Sequence, residues 1–196
     1  MKNKKLLSIT EGAIMVSLAT ALSFIRIVKF PWGGAITLLS MLPIIVYAVR
    51  YGIVRGFAVS FVYSMIQLGQ GILFDGLFGW GLTPVSLISC IILDYILAFS
   101  LICLAGAFGN KRVGSLICGV VLAMLLRFGM HYLSGVFIFG SFGELWAGFS
   151  TDNKWLYSLL YNGAYMLPET VFTTIGAIAL FKTPQIRRIL FWNDGV

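Results

Sequence analysis

"TPVSLISCIILDYILAFSLICLAGAF" (residues 83–108) is a stretch of twenty-six residues that contains one charged side chain, the carboxylate of Asp94. A helix needs about 20 consecutive apolar residues to cross a bilayer, so this stretch is long enough to cross once. An ionisable side chain in hydrocarbon costs ~2.5–3.5 kcal/mol on insertion scales and usually has a function there. The stretch therefore predicts a membrane span that carries a functional polar group.

The rest of the chain has the same apolar character. Hydrophobic residues make up 59% of the 196 residues and charged residues 11%, whereas soluble domains carry about 25% charged residues. Six apolar segments are span candidates, at about residues 8–27, 36–50 (the shortest), 53–74, 83–108, 113–134 and 156–181. We predict an all-α integral membrane protein, with six transmembrane helices in a single membrane domain that covers residues 1–196.

Lysine and arginine near the ends of these segments predict the orientation, because cytoplasmic loops are enriched in both. With a cytoplasmic N-terminus, the cytoplasmic side holds Lys2, Lys4, Lys5, Arg50, Arg55, Lys111, Arg112, Lys182, Arg187 and Arg188, and the outer side holds Arg26, Lys29 and Lys154. Both termini are therefore expected in the cytoplasm. The net charge of +7 reflects topology rather than a nucleic-acid surface, which would need one contiguous basic face.

Polar side chains inside the predicted spans are concentrated in the last three spans. They are Asp94, Arg127, His131, Asn162 and Glu169. At 1.5 Å per residue, His131, Asn162 and Tyr157 lie in the outer third of the membrane, which predicts a pocket that opens outward. Asp94 lies somewhat deeper. Arg127 lies one helical turn below His131, where it would neutralise Asp94 or Glu169.

Simpler structural roles remain open for several of these residues. Asp94 and Arg127 together are also consistent with a structural ion pair, since buried charges normally have partners. Glu169 follows Pro168, whose ring frees a backbone carbonyl in the helix, so that pair is interpreted first as a kink. A lone histidine near a helix end often only packs, but Gly135 follows His131 by one turn and lets a ligand approach the backbone closely.

The chain shows no pattern that is typical of an enzyme. Ser134 follows His131 by three residues, but no G-x-S-x-G motif accompanies them. The His, Cys and Glu residues do not have metal-site spacing, and no G-x-x-x-x-G-K-[ST] loop for a nucleotide is present. We therefore expect a binding or transport protein without a cofactor or a resident metal, which does not itself hydrolyse ATP.

Two predicted outer segments, residues 26–37 and 136–155, are rich in glycine and aromatic residues rather than in charge. Loops positioned by a rigid scaffold often carry function, so these segments would fold over a site at the outer face. Aromatic residues also favour the membrane interface by themselves. Composition alone leaves both interpretations open.

Four stretches resemble the ThiT family, the thiamin-specific S-components of energy-coupling factor (ECF) transporters. They are "GGAITLLSMLPI" (33–44), "LDYILAF" (93–99), "LRFGMHYLSGVFIFGSF" (126–142) and "WLYSLLYNGAYMLPE" (155–169). The resemblance implies a subunit of a prokaryotic cell membrane that binds thiamin from outside. It also implies a partner module, made of a transmembrane coupling protein and two ATPases, which drives uptake and fits the missing nucleotide loop.

The resemblance also implies which residues bind the ligand. By their positions in the motifs these are Asp94, Tyr95, His131, Gly135, Phe139, Tyr157, Asn162 and, more loosely, Trp32. Some members have Glu in place of Asp94, so the carboxylate here has a shorter reach. Thiamin is a cation with two aromatic rings: a buried carboxylate would offset its charge, and Trp32, Phe139 or Trp146 would stack on a ring.

A stripe of small residues lies in the first span. Ala13, Ser17 and Ala21 recur every four residues, which lets another helix approach closely. The resemblance implies that this stripe docks on the ECF module, and packing within the bundle is the alternative.

Two other functions remain open. Because a shared architecture does not define the ligand, the chain is also consistent with an S-component for another vitamin. A stand-alone proton-coupled transporter would instead use Asp94, Arg127 and Glu169 as a relay.

Overall fold

Helices formed by the apolar segments make up most of the structure, a computed structural model that describes residues 4–108, 112–141, 143–146 and 148–191. The helices are α1 (Lys4–Ser23), α2 (Leu42–Phe74), α3 (Pro84–Gly106), α4 (Val113–Phe139), α5 (Lys154–Lys182) and the short α6 (Pro184–Leu190). Of the helices in these residues, α1 to α5 are long and apolar enough to cross a membrane. The predicted fold class, an all-α membrane protein, is confirmed.

Helix α2 contains a sharp reversal at Gly52. This residue has φ 79° and ψ 175°, a backbone conformation that is open to glycine but not to residues with a Cβ atom. A Cβ atom at Gly56 would lie only 2.9 Å from the Cβ atom of Ala48, which is impossible along a straight helix. The segments 42–51 and 53–74 therefore run side by side in opposite directions, and the break falls where the sequence separates the second and third predicted spans.

The first two predicted spans extend too far toward each other. The first was expected to reach residue 27, but α1 ends at Ser23. The second was expected to start at residue 36, but α2 starts at Leu42. Between them, β1 (Arg26–Lys29) and β2 (Ala35–Thr37) pair antiparallel. The predicted outer segment therefore forms the "first hairpin" (residues 26–37), which also takes the ends of the two predicted spans, residues 26–27 and 36–37.

A second hairpin, formed by β3 (Gly143–Trp146) and β4 (Phe149–Thr151), follows α4. The ring of Trp32 in the first hairpin lies 6.0 Å from that of Phe139 at the end of α4, so both hairpins lie at one end of the bundle, which we call the hairpin end. The assignment of this end to the outside of the cell stays a prediction. Two of the charges on which it depends, Lys2 and Lys111, lie outside the described residues.

Small residues bring the helices into close contact away from the hairpin end. A Cβ atom at Gly106 would lie 2.9 Å from the carbonyl carbon of Ala48, and one at Gly119 would lie 3.1 Å from that of Ala105. Such contacts are typical of membrane bundles, where dispersion contacts rather than the hydrophobic effect hold helices together. Large apolar side chains, including Leu73, Val85 and Ile175, are exposed on the outside of the bundle, as a lipid-facing surface requires.

Candidate functional site

Two π-helical segments interrupt the helices at the centre of the site. Ile91–Leu97 in α3 carries Asp94 and Tyr95, and Gly135–Phe139 ends α4. A π-helical turn contains one extra residue, which shifts side chains relative to a regular helix, and such turns are frequent at functional sites. Four of the predicted site residues therefore lie on irregular turns that sequence periodicity does not indicate.

A cavity lies between the helices and the first hairpin, with about 970 Å³ of empty space between its walls, part of it open to solvent. All eight residues predicted to bind ligand line this cavity: Trp32, Asp94, Tyr95, His131, Gly135, Phe139, Tyr157 and Asn162. They come from the first hairpin, α3, α4 and α5. The structure brings them together, and their contact with a ligand stays a prediction.

Asp94 is held by three side chains. Its Oδ1 atom lies 2.8 Å from Nδ1 of His131, and its Oδ2 atom accepts from the hydroxyl of Ser134 and from the thiol of Cys90 at 3.3 Å. An ionised carboxylate can only accept hydrogen bonds, so with Asp94 ionised the proton of a neutral His131 is on Nδ1. Its Nε2 atom is then an acceptor, and it has no partner within the described residues.

Asn162 is oriented by its neighbours on α5. Its amide nitrogen donates to the carbonyl oxygen of Ser158 at 3.0 Å and to the hydroxyl oxygen of Ser158 at 3.1 Å. Its Oδ1 atom accepts from the hydroxyl of Tyr165 at 2.6 Å. Both acceptors of the amide nitrogen thus belong to Ser158, and Oδ1 keeps a second lone pair as an acceptor.

Gly135 is required by helix packing as well as by the cavity. A Cβ atom there would lie 2.9 Å from Nδ2 of Asn162 and closer still to the hydroxyl of Ser158. The sequence interpretation of Gly135, that it lets a ligand approach the backbone, is therefore incomplete. Its missing side chain lets α4 and α5 meet and leaves Asn162 in place.

Three aromatic rings form one wall of the cavity. The ring of Trp32 is 5.9 Å from that of Trp80 and 6.0 Å from that of Phe139, and the rings of Trp80 and Phe139 are 6.0 Å apart. The backbone of Trp32 has φ 58°, which is uncommon for a residue with a side chain and directs this ring against the other two. The side chain of Trp146, the other predicted stacking residue, lies outside the part of the chain that the structure describes.

The first hairpin is fastened to the far end of α2 by an ion cluster. Arg26 contacts both carboxylate oxygens of Asp75, at 2.5 and 3.0 Å, and the amine of Lys29 lies 2.9 Å from Oδ1. Burial alone would raise the pKa of Asp75, but the hydrogen bonds from Arg26 and Lys29 outweigh it and hold the pKa below its ordinary value. The cluster therefore stabilises the fold at neutral pH, and its contribution is lost as the pH falls through this lowered pKa.

Arg127 and Glu169 do not have the partners that the sequence suggested. Glu169 accepts from the backbone nitrogen of Thr37 at 2.7 Å and from its hydroxyl at 2.6 Å. The guanidinium of Arg127 lies over the ring of Phe99, 4.5 Å from its centre. Within the described residues, no carboxylate is within 4.0 Å of Arg127, because both nearby carboxylates already have other donors. The direct ion pair of Arg127 with Asp94 or Glu169 is not formed, and the charge of Arg127 acts on Glu169 only at longer range.

Several residues in and around the candidate site were not predicted. They are Ser134 and Cys90 beside Asp94, Trp80 in the aromatic wall, Asp75 under the first hairpin, and Gln67 on the cavity wall. The spacing of Ser134 after His131 places both on one helix face, which is the signal in the sequence for their shared contact with Asp94. The role of Asp75 depends on contact with a distant hairpin and has no local signal.

Comparison with known proteins identifies the family. The Thia_YuaJ family model, "Thiamine transporter protein", matches residues 9–188. This chain belongs to the Thia_YuaJ family. Thiamine transporter ThiT of Bacillus subtilis (strain 168) is 32% identical over 93% of this chain and 94% of its own. Thiamine transporter ThiT of Lacticaseibacillus paracasei is 28% identical over 94% of this chain and 92% of its own.

A solved structure of ThiT from Listeria monocytogenes is similar to this fold. It is 25% identical, with a TM-score of 0.73 over 94% of this chain and 99% of that chain. The Thia_YuaJ family consists of transport proteins, so this chain is not an enzyme. The predicted resemblance is confirmed, as is the multi-pass membrane character.

Proposed function

We propose that the chain is the thiamin-binding S-component of an ECF uptake transporter in a bacterial cell membrane. In this proposal thiamin enters the cavity at the hairpin end, from outside the cell, and a separate ATPase module energises its transfer. Membership in the thiamine transporter family supports the ligand. The single observation that carries the assignment of the site is the Asp94–His131 pair, which lies in the same cavity as the wall of three aromatic rings.

The polar groups near Asp94 suit the aminopyrimidine and the positive charge of thiamin. The carboxylate of Asp94, Nε2 of His131 and the remaining lone pair on Oδ1 of Asn162 are all acceptors. An exocyclic amine donates to such groups, and a buried carboxylate offsets a cation. The rings of Trp32, Trp80 and Phe139 present faces to a cationic thiazolium, an interaction of about 2 kcal/mol when it is desolvated.

Thiamin is expected to raise the melting temperature of the detergent-solubilised protein. No such increase is expected with riboflavin, biotin or pantothenate. Ligand that binds only the native state stabilises it by about 4 kcal/mol at a thousandfold excess over Kd. A differential scanning fluorimetry series over these four vitamins measures the effect. Stabilisation by another vitamin and none by thiamin would assign the cavity to a different ligand.

The stand-alone proton-coupled transporter is the less favoured alternative. Its relay would need Asp94, Arg127 and Glu169 to communicate. In the described residues Glu169 bonds to Thr37 and Arg127 lies over Phe99, so the three groups are not joined by direct hydrogen bonds. This arrangement favours binding over proton conduction.

The stripe on α1 supports a partner for the bundle. Ala13, Ser17 and Ala21 are all exposed, so they do not pack within the bundle, and the hydroxyl of Ser17 bonds back to the carbonyl of Ala13 at 2.9 Å. An exposed surface of small residues lets a second helix approach closely. In the proposal this surface docks on the transmembrane coupling protein.

Ala13→Trp is expected to leave thiamin binding by the purified protein unchanged and to reduce uptake by ~10-fold or more in cells that contain the module, since a large side chain prevents close helix contact. Leu18→Trp is the matched control, because Leu18 is exposed and lies ~100° further round the helix than Ser17. Radiolabelled thiamin uptake measures both variants. Equal uptake by Ala13→Trp and Leu18→Trp would show that the stripe is not a docking surface.

A further inference from the structure

Tyr165 contacts two of the residues that are predicted to bind ligand. It is 5% exposed and lines the cavity, and its hydroxyl donates to Oδ1 of Asn162 at 2.6 Å. Its ring meets that of His131 nearly edge to face, with 5.9 Å between the ring centres. The hydroxyl and the ring of one buried side chain therefore support two polar groups of the candidate site.

The hydrogen bonds of Asn162 determine which amide atom faces Tyr165. The carbonyl oxygen of Ser158 can only accept, and it lies 3.0 Å from Nδ2 of Asn162. The hydroxyl of Ser158 also accepts from Nδ2, because its own proton is donated to the carbonyl of Tyr132 at 2.7 Å. Nδ2 must therefore face Ser158, and Oδ1 must face the hydroxyl of Tyr165. Without this hydroxyl the amide is held from one side and gains freedom to turn.

The ring of Tyr165 is also the surface on which the first hairpin rests. A Cβ atom at Gly34 would lie 2.9 Å from Cε1 and 3.0 Å from Cδ1 of Tyr165. Gly34 has φ −59°, which residues with a side chain adopt readily. Glycine is thus needed here for close contact with the ring and not for its backbone conformation. The first hairpin and the amide of Asn162 meet at one side chain.

The ring of Tyr165 has little room to move by itself. Phe30 of the first hairpin packs on it with the ring centres 5.8 Å apart, and the ring of Tyr161 lies 6.0 Å away. The hydroxyl of Tyr161 bonds in turn to the carbonyl oxygen of Pro31 in the same hairpin. Because closely packed side chains transmit strain, a shift of the hairpin against this ring would also shift its hydroxyl.

We propose that Tyr165 is a positioning residue for Asn162, and that the first hairpin sets the position of its ring. This inference rests on the proposed function, in which Oδ1 of Asn162 accepts from thiamin. Packed neighbours and supporting hydrogen bonds hold a binding group in its productive geometry. With Gly34 against the ring, the hydroxyl of Tyr165 holds Oδ1 in place. When the ring shifts, this hydrogen bond weakens and thiamin loses a fixed acceptor.

Tyr165→Phe keeps the ring and removes the hydroxyl. The Kd for thiamin, measured by isothermal titration of the full-length purified protein, should rise by ~5–10-fold, as expected for one neutral hydrogen bond. Tyr51→Phe is the matched control, because it also removes a hydrogen bond, to Glu11 at 2.7 Å, from a tyrosine that does not line the cavity. It should leave the Kd unchanged. Unchanged affinity in Tyr165→Phe would overturn the inference.

A double variant separates a positioning role from a structural one. Asn162→Ala should raise the Kd for thiamin by ~10-fold or more. If Tyr165 acts through Asn162, adding Tyr165→Phe to Asn162→Ala should raise the Kd by less than ~2-fold further. Residues that act independently have additive free energies, so the Kd would instead rise by another ~5–10-fold. That result would mean that Tyr165 supports the fold or contacts thiamin itself, and the inference would be wrong.

Gly34→Ala tests the contact with the hairpin and keeps every hydrogen-bonding group, so it also serves if Asn162→Ala does not fold. The added methyl group should displace the ring and raise the Kd by ~5-fold or more, but by less than ~2-fold in a Tyr165→Phe background. Gly114→Ala is the matched control, because a Cβ atom at Gly114 would have no neighbour within 4 Å, and it should bind like the wild type.

The outcomes separate this inference from the proposed function. Equal losses from Gly34→Ala in both backgrounds would mean that the methyl group obstructs thiamin directly, and wild-type affinity in Gly34→Ala would mean that the hairpin does not set the ring. Either result would overturn the link between the hairpin and Asn162 while thiamin still binds. Absence of thiamin binding by the wild type would overturn the proposed function itself.

Discussion

Asp94→Asn is expected to weaken thiamin binding by ~30–100-fold, the largest loss of affinity for a single isosteric change at this site. A hydrogen bond to a charged group contributes ~1.5–3 kcal/mol, and the carboxylate is also the negative charge that lines the cavity beside His131. Replacing it by an amide removes the counter-charge for the thiazolium. It also places an NH2 donor opposite either His131 or Ser134, whose partners in the wild type are the two acceptor oxygens of Asp94. Titration calorimetry of purified Asp94→Asn measures the change.

Asp152→Asn is the matched control for this variant. Asp152 is exposed, does not line the cavity, and undergoes the same chemical change. Its affinity for thiamin should equal that of the wild type. Tight binding by Asp94→Asn would mean that the carboxylate serves only to orient His131, and that the ligand contacts other groups.

Glu169→Ala is expected to lower the free energy of unfolding by about 3 kcal/mol, because two buried donors on Thr37 lose their acceptor at ~1–3 kcal/mol each. Glu169 is 1% exposed and accepts from both the backbone nitrogen and the hydroxyl of Thr37. The melting temperature of the ligand-free protein should fall by ~6–12 °C, at about 2–4 °C per kcal/mol for a chain of this size.

Two comparisons make this prediction specific. Glu169→Gln keeps one carbonyl acceptor and should lose about half as much stability. Glu144→Ala removes an exposed carboxylate from the second hairpin and should melt like the wild type. If Glu169→Ala also melts like the wild type, the contact with Thr37 does not hold the first hairpin in place.

The helices were predictable because lipid imposes a composition that is visible in the sequence. The segments around α3, α4 and α5 are each apolar over the length of a bilayer, and the Gly52 reversal lies in a short polar interruption. The first hairpin was not predictable, because a short apolar strand and a buried helix cannot be distinguished by periodicity. The sequence indicated an outer segment over residues 26–37 but not its strands, and its first two and last two residues were assigned to the neighbouring spans.

The members of the candidate site were predictable, but most of their contacts were not. The resemblance supplied the eight residues that line the cavity, from Trp32 to Asn162. The third partner of Asp94, Cys90, precedes it by four residues, a spacing that places both on one helix face and that is visible in the sequence. The observed partner of Glu169 is Thr37, which is 132 residues away in the chain. Pairings at such a separation depend on the whole fold.

The reversal at Gly52 also has a consequence for how the protein is made. The segment 42–51 is ~15 Å long at 1.5 Å per residue, about half of the ~30 Å hydrocarbon thickness, so it cannot enter the bilayer as an independent span during synthesis. Gly106, which packs closely against Ala48 in this segment, is synthesised later. Glu169, which accepts hydrogen bonds from Thr37, is synthesised later still. The nascent chain therefore completes the packing of this segment and the anchoring of the first hairpin only after the last long helix has been made.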